Sequence, residues 1–312
     1  MISRRLQALR HRIAQRILGG RTGQEPPPAL PYDAWLMFDM ADVCNLRCSY
    51  CISDSPGFPA PKVNAGKVPL FQIERVVQTL DATSLTFRIV FAGGGEPLLI
   101  PNLVDTCVAL TQKHYVGLHT NLTFPSVVRD FVARVDPHRI YYIVASFHAD
   151  ELERTGMTER FIDSVKRLRK GGFPVTVRVV AHPDILPRIP QIEELFRPHG
   201  IEVSCDPFVG THKGQTYPEA YSEHALRQFE LGDPSIYRTR GKLCNAGANV
   251  AMVLANGDVR FCTEVDTKIG NIHDRIEFRD QLITCPSECC RCPFYAHDTA
   301  LFEQAQFRVG RK

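Results

Sequence analysis

Residues 44–51 read Cys-Asn-Leu-Arg-Cys-Ser-Tyr-Cys, and residues 93–97 read Gly-Gly-Gly-Glu-Pro. Each stretch follows an apolar, strand-like run, 35–40 before the first and 87–91 before the second. Between them, helical spacing of apolar residues predicts a helix over 70–80. The alternation continues outward from there. Strand-like runs recur at 115–119, 140–146, 175–180 and 201–205, and helical patterns at 102–113, 126–135, 158–170 and 190–199. Pro69 and Pro101 stand where helices should begin, where the missing N–H costs nothing. Strands alternating with helices predict an α/β fold with a parallel sheet and right-handed crossovers. Six such units suit a partial barrel or an open doubly wound sheet, and the pattern alone leaves both open.

The 312 residues are 44% apolar and 23% charged, an ordinary globular composition. A net charge of +3 is too small to imply a nucleic-acid partner. No apolar run approaches the ~18 residues that span a membrane. Eleven cysteines are many, and they are clustered, three in 44–51 and four in 285–292. An odd, tightly spaced set without a secretory leader argues against a disulfide framework. It favours metal binding in a reducing, cytoplasmic compartment.

Three thiolates from one tight loop, Cys44, Cys48 and Cys51, can hold three irons of a cubane cluster. The fourth iron then keeps an open position, which is where chemistry occurs at metal sites. Zinc is the competing reading, since Cys48-x-x-Cys51 is also a zinc-like pair. Its partner pair, Cys289-x-x-Cys292, is far away in sequence, and zinc sites usually close at short separation.

The Cys44-x3-Cys48-x2-Cys51 loop, with Tyr50 before its last cysteine, resembles the signature of the radical S-adenosylmethionine (SAM) superfamily. Gly94-Gly95-Glu96-Pro97 resembles that family's Gly-Gly-Glu motif. The resemblance covers about residues 33–208. It implies a partial (β/α)6, TIM-like barrel with a [4Fe-4S] cluster at its mouth whose open iron takes the SAM amino and carboxylate groups. One electron then cleaves SAM to a 5′-deoxyadenosyl radical that removes a hydrogen atom from substrate. Flavodoxin or ferredoxin is the implied kind of electron donor. Carried over residue by residue, Tyr50, Gly94, Gly95, Glu96, Asn121 and Ser146 are expected at the SAM site, and Arg178 on the fifth strand is a candidate partner for the SAM carboxylate, with a solvent-facing or core-edge arginine as the alternative. Leu122 stands where the family often has glycine after Thr-Asn, and His148 where relatives often have aspartate. His148 is therefore a candidate catalytic acid or base, with a structural histidine as the alternative. Asp206 is a weaker substrate-side candidate.

A second constellation comprises Cys244, Cys262, Cys285, Cys289, Cys290 and Cys292, around a hairpin turn at Asn256-Gly257-Asp258 and a Gly270-Asn271-Ile272 stretch. It resembles the auxiliary-cluster extension called SPASM, or its shorter form, the twitch domain, and implies one auxiliary [4Fe-4S] cluster. Cys244 and Cys262 are the expected ligands, with two more from the last four cysteines. Adjacent Cys289 and Cys290 point apart, so both should not serve one cluster. A structural zinc knuckle is the alternative. Cys107 and Cys205 read as buried small apolar residues.

The expected organisation is a basic amphipathic helix and linker over 1–30, a barrel over 31–210, a lid segment over 211–243 and a cysteine-rich module over 244–312. Ile2, Leu6, Leu9, Ile13 and Ile17 with arginines between them read first as an amphipathic helix resting on the domain, with peripheral contact at the inner membrane face or an organelle targeting peptide as the alternatives. His212, Lys213, Tyr217 and Tyr221 are placed to line a polar lid. The substrate expectation is a small molecule, such as a sugar or alcohol, oxidised or rearranged. Peptide-modifying relatives tend to carry a further N-terminal recognition domain, for which some 30 residues are too few. Two alternatives stay open: a peptide- or protein-modifying SPASM maturase, and a non-catalytic iron–sulfur or zinc scaffold.

Overall fold

A computed structural model describes residues 30–39, 43–51, 68, 70–288, 290 and 299–309. The predicted basic helix over 1–20, Pro69, Cys289 and Cys292 lie outside the described residues.

The predicted alternation is realised almost residue for residue. Strand β1 (Ala34–Asp39) leads into the cysteine loop, and α1 (Ile73–Ala82) returns the chain to β2 (Phe87–Phe91). Helix α2 (Leu103–Leu110), β3 (Tyr115–Thr120), α3 (Pro125–Arg134) and β4 (Ile140–Ser146) follow. Then come α4 (Ala149–Arg154), α5 (Thr158–Lys170), β5 (Val175–Val180), α6 (Ile189–Phe196) and β6 (Val203–Asp206). These six strands are parallel and neighbour one another in chain order, so the fold is the partial α/β barrel rather than a doubly wound sheet.

Successive residues of β1 and β2 are buried on opposite faces of the sheet, as a pleat requires. Ala34, Leu36, Phe38, Phe87, Ile89 and Phe91 join the large core beneath the helices. Trp35, Met37, Val90 and Ala92 point the other way, into the barrel, and form a smaller cluster with Tyr32, Val250 and Met252.

Past the barrel the chain forms a hairpin, β7 (Gly210–His212) with β8 (Gln215–Tyr217), and a short helix α7 (Glu223–Gln228). Strand β9 (Leu243–Cys244) precedes β10 (Val250–Leu254) and β11 (Asp258–Arg260), which turn at Gly257 as expected for Asn-Gly-Asp. Strands β12 (Lys268–Asn271), β13 (Arg275–Ile276) and β14 (Ile283–Thr284) and helix α8 (Thr299–Val309) complete the chain.

The cysteine-rich segment is not a detached module. Strand β10 pairs in parallel with β1, Trp35 opposite Val250 and Asp39 opposite Leu254. The sheet therefore runs β13-β12-β11-β10-β1-β2-β3-β4-β5-β6 without a break. Leu301 of α8 is wholly buried against the interior cluster, and its carbonyl accepts from Asn249 Nδ2 at 3.0 Å. That contact sets α8 at the end of the barrel where β1 begins. Beside it Arg88 lies under three rings, 4.1 Å from Trp35, 4.8 Å from Tyr32 and 5.2 Å from Tyr141. Burying a guanidinium on this scale requires such π-faces and a hydrogen bond, here to the Tyr32 hydroxyl at 2.7 Å.

Candidate active site

The first cysteine loop sits over the carboxyl ends of the strands, where parallel β/α folds bind ligands. Four hydrogen bonds from three segments hold it. The Glu96 N–H donates to the Val43 carbonyl at 2.9 Å, and the Arg47 N–H to Glu151 Oε2 at 2.9 Å. Asn121 Nδ2 donates to Asn45 Oδ1 at 3.0 Å, and Asn45 Nδ2 to Thr123 Oγ1 at 2.9 Å. Glu151 stands on α4 and is pinned by Arg154. That bond, opposed in part by burial, holds the Glu151 carboxyl below its ordinary range.

Cys44, Cys48 and Cys51 are half-buried free thiols in electrostatic contact. Burial, with Glu96 and Cys51 nearby, pushes Cys44 up to about 11. Burial and both neighbouring thiols push Cys48 higher still. Three thiolates gathered in such a place need a cationic centre among them, because a bound metal deprotonates its thiols. This donor set fits a cubane iron–sulfur cluster with one iron left open.

The glycine-rich loop explains itself at Gly93. Its φ is +126°, and a Cβ there would lie 2.0 Å from Asp39 Oδ1. The Asp39 carboxylate accepts from the Gly94 N–H at 2.9 Å, so the end of β1 shapes the loop after β2. Glu96 is wholly buried. One oxygen accepts from Thr120 Oγ1 at 2.6 Å and the Leu98 N–H at 2.9 Å, the other from the Asn121 N–H at 2.8 Å. Burial raises its carboxyl to about 7 despite those donors. Glu96 thus braces the end of β3 and delivers Asn121 to the loop. Leu122 adopts a φ of +53°, a left-handed conformation, which gives a physical reason for glycine at this place in the family.

Tyr50 is buried, stacked on His182 at 5.4 Å and 6.0 Å from the His148 ring. Burial lowers His148 to about 4 and Glu151 opposes this, so the imidazole is neutral at pH 7. His148 precedes α4 and packs beside the cysteine loop. Ser146 and Arg178 are register partners on β4 and β5. Arg178 forms an ion pair with Asp206 at the end of β6, while its Nε is buried without a hydrogen-bond partner among the described residues.

Sequence reasoning missed several groups here. His119 Nε2 lies 3.4 Å from the Tyr142 hydroxyl, and burial with Arg178 nearby lowers the imidazole to about 3. A polar residue in alternation with Tyr115 and Gly117 on a buried strand was the available signal. Asp39 and His182 had none beyond their place at strand ends, and Glu151 lies in a helix too short to announce itself. Cys107 is fully buried, as expected, and Cys205 packs against the main core.

The second cysteine set gathers elsewhere. Cys262 is raised to about 11, first by burial and then by Cys244 and Cys285, so these three thiols share one neighbourhood. Cys244 pairs across β9–β14 with Ile283, and Cys285 Sγ lies 3.3 Å from Thr239 Oγ1. The Cys290 N–H donates to the Tyr237 carbonyl at 2.8 Å. Cys244 and Cys262 both pack against the interior cluster of Trp35, Tyr32 and Val250. Arg260 is opposite Met252, which is opposite Met37, so Cys262 falls near the beginning of β1. Cys44 lies beyond its end. The two sets flank the barrel interior from opposite ends.

Comparison with known proteins bears on the barrel and its first cysteine loop. The family model "Radical SAM superfamily" matches residues 39–195. A GTP 3′,8-cyclase of Listeria welshimeri is 24% identical over 155 residues, 47% of this chain and 45% of the relative. One of Geobacter sulfurreducens is 28% identical over 151 residues, 45% of this chain and 44% of the relative. The chain thus spans less than half the length of these curated relatives. Among solved structures, anSMEcpe with bound AdoMet superposes with a TM-score of 0.53 at 14% identity, covering 89% of this chain and 97% of that one. Streptococcus suis SuiB bound to S-adenosylmethionine gives 0.51 at 16% identity, covering 80% and 63%. At these identities the likeness is one of fold. With half of its length matched, and that half containing the three-cysteine loop and the Gly-Gly-Gly-Glu turn, the chain belongs to the radical SAM superfamily.

Proposed function

We propose that this radical SAM enzyme removes a hydrogen atom from a small polar molecule held inside the barrel, between the two cysteine sets. The observation that carries the reading is the placement of those sets at opposite ends of one interior lined by Ser146, Arg178 and Asp206. Cys44, Cys48 and Cys51 would hold the [4Fe-4S] cluster, which would supply the electron for reductive cleavage of SAM. Gly94 and Gly95 offer backbone to the SAM amino end. Glu96 keeps that loop and Asn121 in place through its three accepted hydrogen bonds. Ser146 and Arg178 face the SAM carboxylate and ribose side, with Asp206 setting the guanidinium. Tyr50 and neutral His148 close the flank and exclude water. Cys244, Cys262 and Cys285, with a fourth thiol from Cys289, Cys290 or Cys292, hold the auxiliary cluster of a twitch- or SPASM-type module.

Curated relatives named for a nucleotide substrate favour a small molecule over a peptide. The test is anaerobic reconstitution, with iron and sulfide counted, followed by SAM and dithionite. About eight irons per chain and 5′-deoxyadenosine are expected. Zinc in place of iron, with SAM intact, would return the chain to a scaffold role.

A further inference from the structure

His182, Asp184 and His212 converge at the barrel rim, their ligating atoms all within 4.8 Å of one another. His182 and Asp184 follow β5, whereas His212 ends β7 of the hairpin that lies over the rim. Two imidazoles and a carboxylate from separate segments are a donor set suited to Zn²⁺ and related first-row divalent ions.

The geometry is close to that of a bound ion. Zinc bonds of about 2.0–2.1 Å put tetrahedral ligands roughly 3.3 Å apart. His212 Nε2 lies 3.3 Å from Asp184 Oδ1, and His182 Nδ1 lies 3.9 Å from Asp184 Oδ2. The His212 Nε2 atom is buried and makes no hydrogen bond among the described residues. A buried ring nitrogen left so is costly unless something binds it. His182 is fixed in orientation by Tyr50 on one side and by Phe208 and His212, at 4.8 and 4.5 Å, on others. Its Nδ1 now accepts only a long bond, 3.3 Å, from the Asp184 N–H. The cation at this carboxylate today is the exposed ammonium of Lys213, 3.2 Å from Asp184 Oδ1. A surface ion pair of this kind gives way readily to a multidentate ion.

We propose that His182, Asp184 and His212 form a divalent-cation site, of the Zn²⁺ class, that ties the β7–β8 hairpin to the rim beside Tyr50. Three protein ligands leave one coordination position open to an oxygen donor. This site is separate from both cysteine sets and does not depend on the proposed reaction.

The test is a Zn²⁺ titration of the cluster-loaded protein, kept oxidised and anaerobic, against a competing chelating dye. Wild type should take up one ion more than His212→Gln or Asp184→Asn, with iron content the same in all three. Lys213→Ala should bind that ion several-fold more tightly, since its competitor is gone. Equal zinc uptake by wild type, His212→Gln and Asp184→Asn at matched iron content would overturn the proposal. His182→Gln should behave as the other two, and unchanged affinity in a variant with native iron content would also count against it.

Discussion

The two cysteine sets are built differently. The loop of Cys44, Cys48 and Cys51 is tied by side chains and backbone from α4 and the segments after β2 and β3. The set of Cys244, Cys262 and Cys285 is held mainly by a two-residue strand pair, β9 with β14, and by the Cys285 N–H donating to the Lys242 carbonyl at 2.9 Å. The first inherits the rigidity of a parallel barrel. The second is divided, with Cys262 just past β11 of that sheet, Cys244 on the separate two-stranded sheet of β9 and β14, and Cys285 just past its β14. A site that must present one open iron to a small cofactor gains from over-determined geometry, whereas a set that closes around its own metal can itself supply the order.

The first set is the more sensitive of the two to a single substitution. Cys48→Ala should end 5′-deoxyadenosine formation altogether; continued formation would mean that the first set is not the radical-generating one. Next, Cys262→Ala should lose about four of eight irons and abolish product while SAM cleavage continues. Joint loss of both activities would show that the second set supports the barrel rather than the reaction. Third, Glu151→Ala leaves the Arg47 N–H without its acceptor, which should cost about 1–3 kcal/mol in urea unfolding. It should also lower iron loading of the first set while sparing the second.

The smallest effect concerns the interior. His119 has its pKa lowered in the folded chain to about 3, chiefly by burial. Its contribution is fully present above the ordinary histidine value, near 6.5, and is lost as pH falls below it. Between pH 7 and 5.5 the wild type should lose about 1 kcal/mol relative to His119→Gln. Unfolding curves of the two proteins at both pH values measure this, and parallel behaviour would place His119 in water.

The barrel was legible because each strand is a short apolar run bounded by turn residues. Only the sixth strand shifted appreciably, to Val203–Asp206. Helix α4 was not legible: six residues, Ala-Asp-Glu-Leu-Glu-Arg, are too few for a period to declare itself. Yet it carries Glu151, on which the cysteine loop rests. The pairing of β10 with β1 was equally hidden, since no local pattern states which distant strand lies alongside. Of the site, the three cysteines and the glycine loop announced themselves by spacing. The internal use of Glu96, the Arg178–Asp206 pair and the His182–Asp184–His212 group depend on side chains that meet only after the chain has folded.

Strand β10 lies against β1 in fixed register, and Cys262 follows just after its antiparallel partner β11. The span between the two groups of thiols is therefore measured out by a ladder of backbone hydrogen bonds, like marks on a ruler. Electron tunnelling weakens steeply with distance. Were a charge to pass between the two ends of the barrel, strand pitch along β1 would set the part of the gap that the ladder spans.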